Sequence, residues 1–249
     1  MPRLSVIIIA KNEAANIADC LDSVVFADER IVVDSGSDDD TVAIARARGA
    51  RVEFHAFAGF GRQFNHALSL ATGDWVFSID ADERVGKALA VELQQAMNDG
   101  KADGYEMPRR SRFLGRIMRH SGWYPDYVLR LWRRGRARWT EDLVHPRPVC
   151  DGAVARLKEP LDHFAVRRIE DSLSRMDRYS TASADMIVAA GKRPSFATGI
   201  THGLYAFFKT YVLRAGFLDG REGFLLAVAT AEGSYYRYMK AWLRSRGHG

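Results

Sequence analysis

A doubly wound α/β domain, its mostly parallel sheet flanked by helices and followed by a helical appendage, is the fold this sequence predicts. Three observations predict it. Apolar strand-like runs alternate with helix-period segments through the first hundred residues, the strand-like runs end in polar clusters, and from Val166 onward the pattern turns helical. The boundary falls between 165 and 166, giving an α/β domain over 1–165 and a helical region over 166–249.

Taken in order, Leu4–Ala10 is a continuous apolar run, and residues 14–25 carry helical spacing at Ile17, Leu21 and Val24. Residues 30–33 form a short β-branched strand ending at Asp34. Residues 41–48 read as helix, 51–54 as strand, 60–71 as helix, 75–79 as strand and 87–98 as helix. Repeated βα units imply parallel neighbours, because a parallel pair needs a crossover connection. In such sheets ligands gather beyond the carboxyl ends of the strands. Three polar clusters stand there: Lys11-Asn12-Glu13, Asp34-Ser35-Gly36-Ser37 and Asp80-Ala81-Asp82.

The third is the most pointed. The apolar run Trp75-Val76-Phe77-Ser78-Ile79 ends in three carboxylates, Asp80, Asp82 and Glu83. Two aspartates spaced i, i+2 at a strand end can turn toward one cleft and attract a hard divalent cation, Mg²⁺ or Mn²⁺, which completes its shell with water and a substrate phosphate. A solvated acidic turn would read the same in isolation. Asn12 could equally be a helix N-cap, and the stretch from Asp34 to Thr41 a capped turn. A strand-end carboxylate can also accept hydrogen bonds from a base or ribose, and Gly36 lets a ligand approach the backbone. No Gly-x-Gly-x-x-Gly follows the first strand, which argues against a dinucleotide-dependent dehydrogenase.

With 47% hydrophobic and 27% charged residues over 249 positions, the chain has an ordinary globular composition and can bury a large core. Cys20 and Cys150 form no close-spaced pair, so neither a disulfide framework nor a zinc site is expected. A reducing cytoplasmic setting without a targeting peptide fits. The net charge of +5 conceals an asymmetry: residues 1–108 hold 10 basic and 18 acidic side chains (−8), residues 109–165 hold 13 and 6 (+7), and residues 166–249 hold 13 and 7 (+6). The basic portion calls for an anionic partner: a phosphorylated substrate, a membrane surface or nucleic acid.

The blocks Ser5 to Glu13, Ile31 to Thr41 and Gly73 to Glu83 match, in order and spacing, those of family 2 glycosyltransferases, which have the Rossmann-like GT-A fold. The sequence resembles in particular bacterial lipopolysaccharide-core β-glucosyltransferases. The likeness continues through Gly122-Trp123-Tyr124-Pro125-Asp126, the stretch Arg130 to Arg134, and Glu141-Asp142-Leu143-Val144-His145.

The resemblance implies a nucleotide-sugar donor, a UDP-sugar, and a pocket lined by Ala10, Lys11, Asn12, Glu13, Asp34, Ser35, Gly36, Ser37, Asp80 and Ala81. Asp34 would lie near the uracil, Ser37 near the ribose or phosphate, and Asp82 would hold the metal with Asp80 beside it. It also places a basic residue just before Asn65; Phe64 stands there, with Arg62 as the substitute. Asp142 is implied as the base that deprotonates the acceptor, with Glu141 as runner-up, and the reaction as inverting. An acidic loop paired with nearby arginines is the plainer alternative. Trp123, Tyr124, Asp126 and His145 are the acceptor-side candidates, for a glycolipid or oligosaccharide of the cell envelope. His145 and His163 are further candidates to face diphosphate or metal.

Ten arginines lie between Arg109 and Arg138 among aromatic residues, a mixture suited to phosphate and sugar, or to a basic surface over a core. In the tail, residues 169–190, 196–218 and 223–243 read as helices rich in aromatic and basic residues. The uncharged run 194–208 is shorter than the roughly 20 apolar residues of a membrane span. An interfacial role at the inner face of the cytoplasmic membrane is expected, with a helical cap or a homo-oligomer contact as the alternative.

Two other functions compete. A haloacid-dehalogenase-like phosphatase also uses a strand-end Asp-x-Asp, but needs Thr or Val where Arg84 stands. An RNA-binding or membrane scaffold leaves Asp34, Asp80 and Asp82 unexplained and sets acid beside phosphate, so nucleic acid is not the expected partner.

Overall fold

The structure, a computed structural model, describes residues 1–141 and 146–247. The chain divides into two compact units, one of Met1–Arg109 with Asp126–His163, the other of Arg110–Pro125 with Phe164–Gly249.

The first unit opens with β1 (Leu4–Ala10), α1 (Ile17–Ser23), β2 (Glu29–Asp34), α2 (Thr41–Ala47), β3 (Arg51–Phe54), α3 (Phe60–Leu70) and β4 (Trp75–Ser78). Strands β3, β2, β1 and β4 are neighbours in that order, all parallel. The register Ile8↔Val32 and Val6↔Phe77 stacks branched and aromatic side chains on both faces. Val6, Ile7, Ile8, Ile31, Val32, Val33 and Phe77 are fully buried. Strands covered on both faces read as unbroken apolar runs, which is why these were legible. Each such side chain contributes about 1.5–3 kcal/mol by leaving water.

Two elements follow the acidic motif, β5 (Glu83–Val85) and α4 (Lys87–Asp99), and the sheet then changes character. Next come β6 (Gly104–Phe113), β7 (Arg116–Ile117), β8 (Asp126–Arg133), β9 (Ala137–Trp139), β10 (Pro148–Cys150), β11 (Val154–Arg156) and β12 (Leu161–Val166). Beyond β4 the order runs β8, β6, β12, β5, and β8 is antiparallel to both β4 and β6, as β12 is to β5. The expected parallel sheet is therefore its β3-β2-β1-β4 half, and the rest is mixed. Residues 104–139 carry no crossover helix, so neighbouring strands there can only turn back on one another. The arginine-rich stretch is largely this antiparallel layer. Arg109, Arg130, Arg133, Arg136 and Arg138 lie within ion-pair distance of carboxylates, and Trp132 is fully buried.

The second unit contains α5 (Ile169–Ala189), α6 (Phe196–Phe208) and α7 (Gly220–Arg244). The second predicted helix stops earlier than its apolar pattern. After Phe208 the chain widens into a π turn over Lys209–Leu213 and then a 3-10 turn over Gly216–Asp219. Ala215 takes φ 53°, a left-handed conformation that ends the helical run, and a Cβ on Gly216 would stand 2.7 Å from the Thr210 carbonyl oxygen. Asp219, buried in this turn, accepts from the backbone N–H groups of Arg119 and His120 at 3.0 Å each. Among the described residues no helix is long and apolar enough to cross a membrane.

Candidate active site

The carboxyl ends of β2, β1 and β4 lie side by side, so the three polar clusters leave the sheet from adjacent parallel strands. The loops after β1 and β2 are stitched together. Asn12, at φ 57°, donates its backbone N–H to Ser37 Oγ at 2.9 Å, and its own Oδ1 accepts from the Asp38 N–H at 3.0 Å. Glu13 donates its N–H to Thr41 Oγ1 at 2.7 Å, and the Ser35 N–H reaches the Ala10 carbonyl at 3.0 Å.

Asp34 is buried and turned into its own loop. It accepts from the Gly36 and Ser37 N–H groups at 2.8 and 2.9 Å and from the Ser37 hydroxyl at 2.5 Å. Gly36 sits at φ 90°, a conformation that favours glycine. Gln63, fully buried on α3, braces the far side by donating to Ser35 Oγ at 3.1 Å. Lys11 and Asn12 remain exposed at the rim.

Burial raises the Glu13 carboxyl above its ordinary value; the Asn16 side-chain N–H opposes this, and the negative charges of Asp82, Asp39 and Asp80 add to it. The first loop and the acidic motif thus share one electrostatic patch, which is the condition for attracting a cation.

Within that motif the two aspartates have different partners. Asp80 is ion-paired to Arg130 on β8, whose Nη2 also donates to Glu83 Oε1 at 2.8 Å. Glu83 is fully buried, and its Oε2 accepts the Asp80 N–H at 3.0 Å. Arg109 on β6 extends the chain of charge, lying 3.6 Å from Glu83 and donating to Asp126 Oδ2 at 2.6 Å. Burial pushes the Glu83 carboxyl up, and Arg130 draws it part of the way back. Burial works against the charged Arg130 guanidinium too, but Asp80 and Glu83 outweigh it and raise its pKa.

Arg84, also buried, donates to the backbone carbonyls of Ala81, Glu83 and Asn16 at 2.7–2.8 Å, clamping the turn that presents Asp82. Where the phosphatase pattern needs a hydroxyl or a small apolar residue, this chain has a backbone clamp.

Asp82 stands 3.5 Å from Nε2 of His163 on β12, and its side chain is about a quarter exposed. Among the described residues no three His, Cys, Asp or Glu side chains form a cage for a metal. One carboxylate with an imidazole beside it suits a cation that takes most of its ligands from water and a diphosphate, not one held by protein alone. The donor set therefore fits Mg²⁺ or Mn²⁺ in that mode.

On the opposite side, α3 carries the chain toward Glu141. Asn65 donates to the Trp139 carbonyl at 2.9 Å and accepts the Trp139 N–H at 2.8 Å, and Phe64 stacks on the Trp139 ring at 3.9 Å between centroids. A Cβ on Gly61 would lie 3.2 Å from Glu141 Cα and closer still to the Thr140 carbonyl. Asn65 and Phe64 thus grip β9, and Arg62 Nε donates to Glu141 Oε2 at 3.1 Å with both side chains exposed. The sequence reading missed Arg130, Glu83, Arg109 and Gly61 as parts of the site. Asp142 and His145 lie outside the described residues. Of the acceptor-side candidates, Asp126 belongs to the first unit, while Trp123 and Tyr124 belong to the second, where Trp123 packs edge-on to Phe113 at 5.9 Å.

The family model described as Glycosyl transferase family 2 matches residues 5–178. The chain belongs to that family. It is 33% identical over 256 residues to an uncharacterized glycosyltransferase of Rickettsia felis, across 96% of this chain and 89% of that one. It is 31% identical over 255 residues to the lipopolysaccharide core biosynthesis glycosyltransferase LpsC of Rhizobium meliloti, across 94% and 93%. Among solved structures it is similar to the glucosyl-3-phosphoglycerate synthase of Mycobacterium tuberculosis in complex with Mn²⁺, UDP and glucosyl-3-phosphoglycerate, with 23% identity, 78% of this chain, 82% of that chain and a TM-score of 0.48. As a family 2 member the chain is a glycosyltransferase. The family match takes in all three motif blocks and ends within α5.

Proposed function

We propose that this glycosyltransferase moves a sugar, with inversion, from a UDP-linked donor to a glycolipid or oligosaccharide of the cell envelope such as a lipopolysaccharide core, using Mg²⁺ or Mn²⁺. The observation that carries this reading is that residues 11–13, 34–37 and 80–82 leave three adjacent parallel strands at one edge of the sheet. Lys11 to Glu13 and Ser35 to Ser37 line the nucleotide side. Asp34 acts there by holding the Gly36 and Ser37 N–H groups in place.

Asp82, with Asp80 and His163 around it, would hold the cation, which when bound neutralises charge on the departing diphosphate. Asp142, with Glu141 as runner-up, takes the proton of the acceptor hydroxyl as its oxygen attacks in line. Trp123, Tyr124, Asp126 and His145 serve the acceptor. The likeness to LpsC across nearly the whole chain supports an envelope acceptor. The exposed apolar and basic side chains of the helical region support a peripheral place at the cytoplasmic membrane face.

Calorimetric titration of UDP with and without Mn²⁺ tests the core of this. Wild type is expected to bind with metal assistance, and Asp82→Asn to lose that assistance by tenfold or more. Binding indifferent to metal, or unchanged in the variant, refutes it.

A further inference from the structure

Within the second unit, α5, α6 and α7 line an open cavity of about 580 Å³. Phe113, Trp123 and Leu226 contribute apolar lining. Four cations, Arg175, Lys209, Arg214 and Arg237, line it too, and among the described residues no carboxylate does.

Two other cations on these helices are matched. Lys240 on α7 is paired with Asp177 on α5 at 2.6 Å, and Arg244 with Asp185. Among the described residues the cavity cations have no such acid. Lys209 lies 6.0 Å from the Tyr205 ring centroid, and Arg237 has only the Ser234 hydroxyl at 3.3 Å and the Tyr238 ring. Arg237 Nε is buried without a hydrogen-bond partner. A buried charged donor left unsatisfied is costly, and four like charges around one hollow repel, so the arrangement calls for an anion.

The geometry of the helices supports this. The π turn that begins at Lys209 and ends just before Arg214 widens the end of α6 and sets both cations on the wall; such turns recur at functional sites. Gly233 on α7 lies against Met176, keeping side-chain bulk out of the hollow. On α6, Phe196, Ile200, Leu204 and Phe208 follow one another every fourth residue, all exposed, forming an apolar stripe on the helix that also supplies Lys209's side of the cavity.

We infer that this cavity is a binding site for a phosphate-bearing amphiphile, its phosphate held by Arg175, Lys209, Arg214 and Arg237 and its apolar portion against Phe113, Trp123 and Leu226. Arginine forks suit phosphate oxygens, and the apolar floor distinguishes an amphiphile from a free anion. The inference does not depend on the donor or metal reading of the first unit.

The test is calorimetric titration of the whole chain with dihexanoyl phosphatidic acid in monomeric form, against dihexanoyl phosphatidylcholine and inorganic phosphate. Saturable one-to-one binding of the phosphatidic acid is expected, with the other two at least tenfold weaker. Arg237→Gln and Arg175→Gln should each weaken binding about tenfold, while Arg193→Gln, which removes an exposed charge away from the cavity, should not. Should Arg237→Gln melt early because of its buried Nε, the exposed Arg214→Gln carries the same expectation. Inorganic phosphate binding as tightly as the lipid, equal loss in Arg193→Gln, or no loss in the cavity variants overturns the assignment.

Discussion

Replacing Arg130 by methionine tests whether the acidic motif is held by a buried ion triad. Arg130 is 4% exposed and Glu83 0%, and the guanidinium serves Asp80 and Glu83 together. Removing one partner of a buried pair strands the other charge at a cost of about 3–5 kcal/mol. Glu83 keeps the Asp80 N–H at 3.0 Å and Arg109 at 3.6 Å, so the lower end, about 3 kcal/mol, is expected here. In thermal denaturation followed by circular dichroism this corresponds to a fall of about 6–12 °C.

The deficit has a defined pH dependence. Burial already raises the Glu83 carboxyl above its ordinary 4.5, and loss of Arg130 raises it further. A group raised on folding contributes stability that is fully present below its unfolded pKa and is lost as pH rises through its folded one. The variant should therefore lie furthest below wild type at pH 7 and close part of the gap at pH 5. Adding Glu83→Gln to Arg130→Met should recover most of the loss at pH 7. A deficit under about 1 kcal/mol, a gap indifferent to pH, or no recovery in the double variant would refute the triad as the support of the motif.

Three further outcomes follow from the same geometry. Gly61→Ala drives a methyl group into the Thr140 carbonyl beside Glu141, and is expected to lower kcat about tenfold or more while leaving the UDP affinity within twofold; steady-state kinetics with paired UDP titrations check both. Asn65→Ala removes two hydrogen bonds to the Trp139 backbone and should cost about 2 kcal/mol in urea unfolding. A variant that stays stable but loses UDP affinity would instead restore Asn65 to the nucleotide pocket. Glu13→Gln should raise the melting temperature at pH 7, where the raised carboxyl is ionised at a cost, and the gain should shrink toward pH 4; a loss of stability at pH 7 contradicts the electrostatic account of that loop.

The parallel half of the sheet was legible because its strands are buried on both faces and so read as unbroken apolar runs. Leu4–Ala10 and Arg51–Phe54 have the same bounds in sequence and structure, and β2 differs by a residue at its start. The antiparallel layer was not legible, because its strands are half covered and laced with arginine. Arg130, Leu131 and Trp132 on β8 are buried in succession while Asp126 and Arg133 are not, and with an arginine inside the buried run the strand resembles a solvated basic stretch until the pairing register is known. The end of α6 was hidden for another reason. The apolar pattern continues through Val212 and Leu213, and the left-handed backbone at Ala215 that closes the run leaves no mark on that pattern.

The same division runs through the site. Asp80 and Asp82 could be singled out as candidates from their spacing at a strand end. Residues that act by holding others could not. Asn65 looks like a ligand-contacting amide in sequence, and only the chain crossing at Trp139 reveals that it also holds backbone, donating one N–H to the Trp139 carbonyl and accepting the Trp139 N–H. Arg84 looks like one more surface charge, yet it is 8% exposed and fastens three carbonyls around the turn that presents Asp82. Glu83 is the sharpest instance: adjacent to Asp82 in sequence, it reads as a third member of an acidic cluster, but the pairing of β5 with β12 buries it and turns it toward Arg130. An acidic cluster of three is thus divided by the strand that begins inside it, leaving Asp82 toward the opening, Glu83 in the core and Asp80 shared through Arg130. The placement of Asp80 is accordingly tied to β8, an element some fifty residues away in sequence, and substitutions there should reach the proposed cation site without touching Asp82.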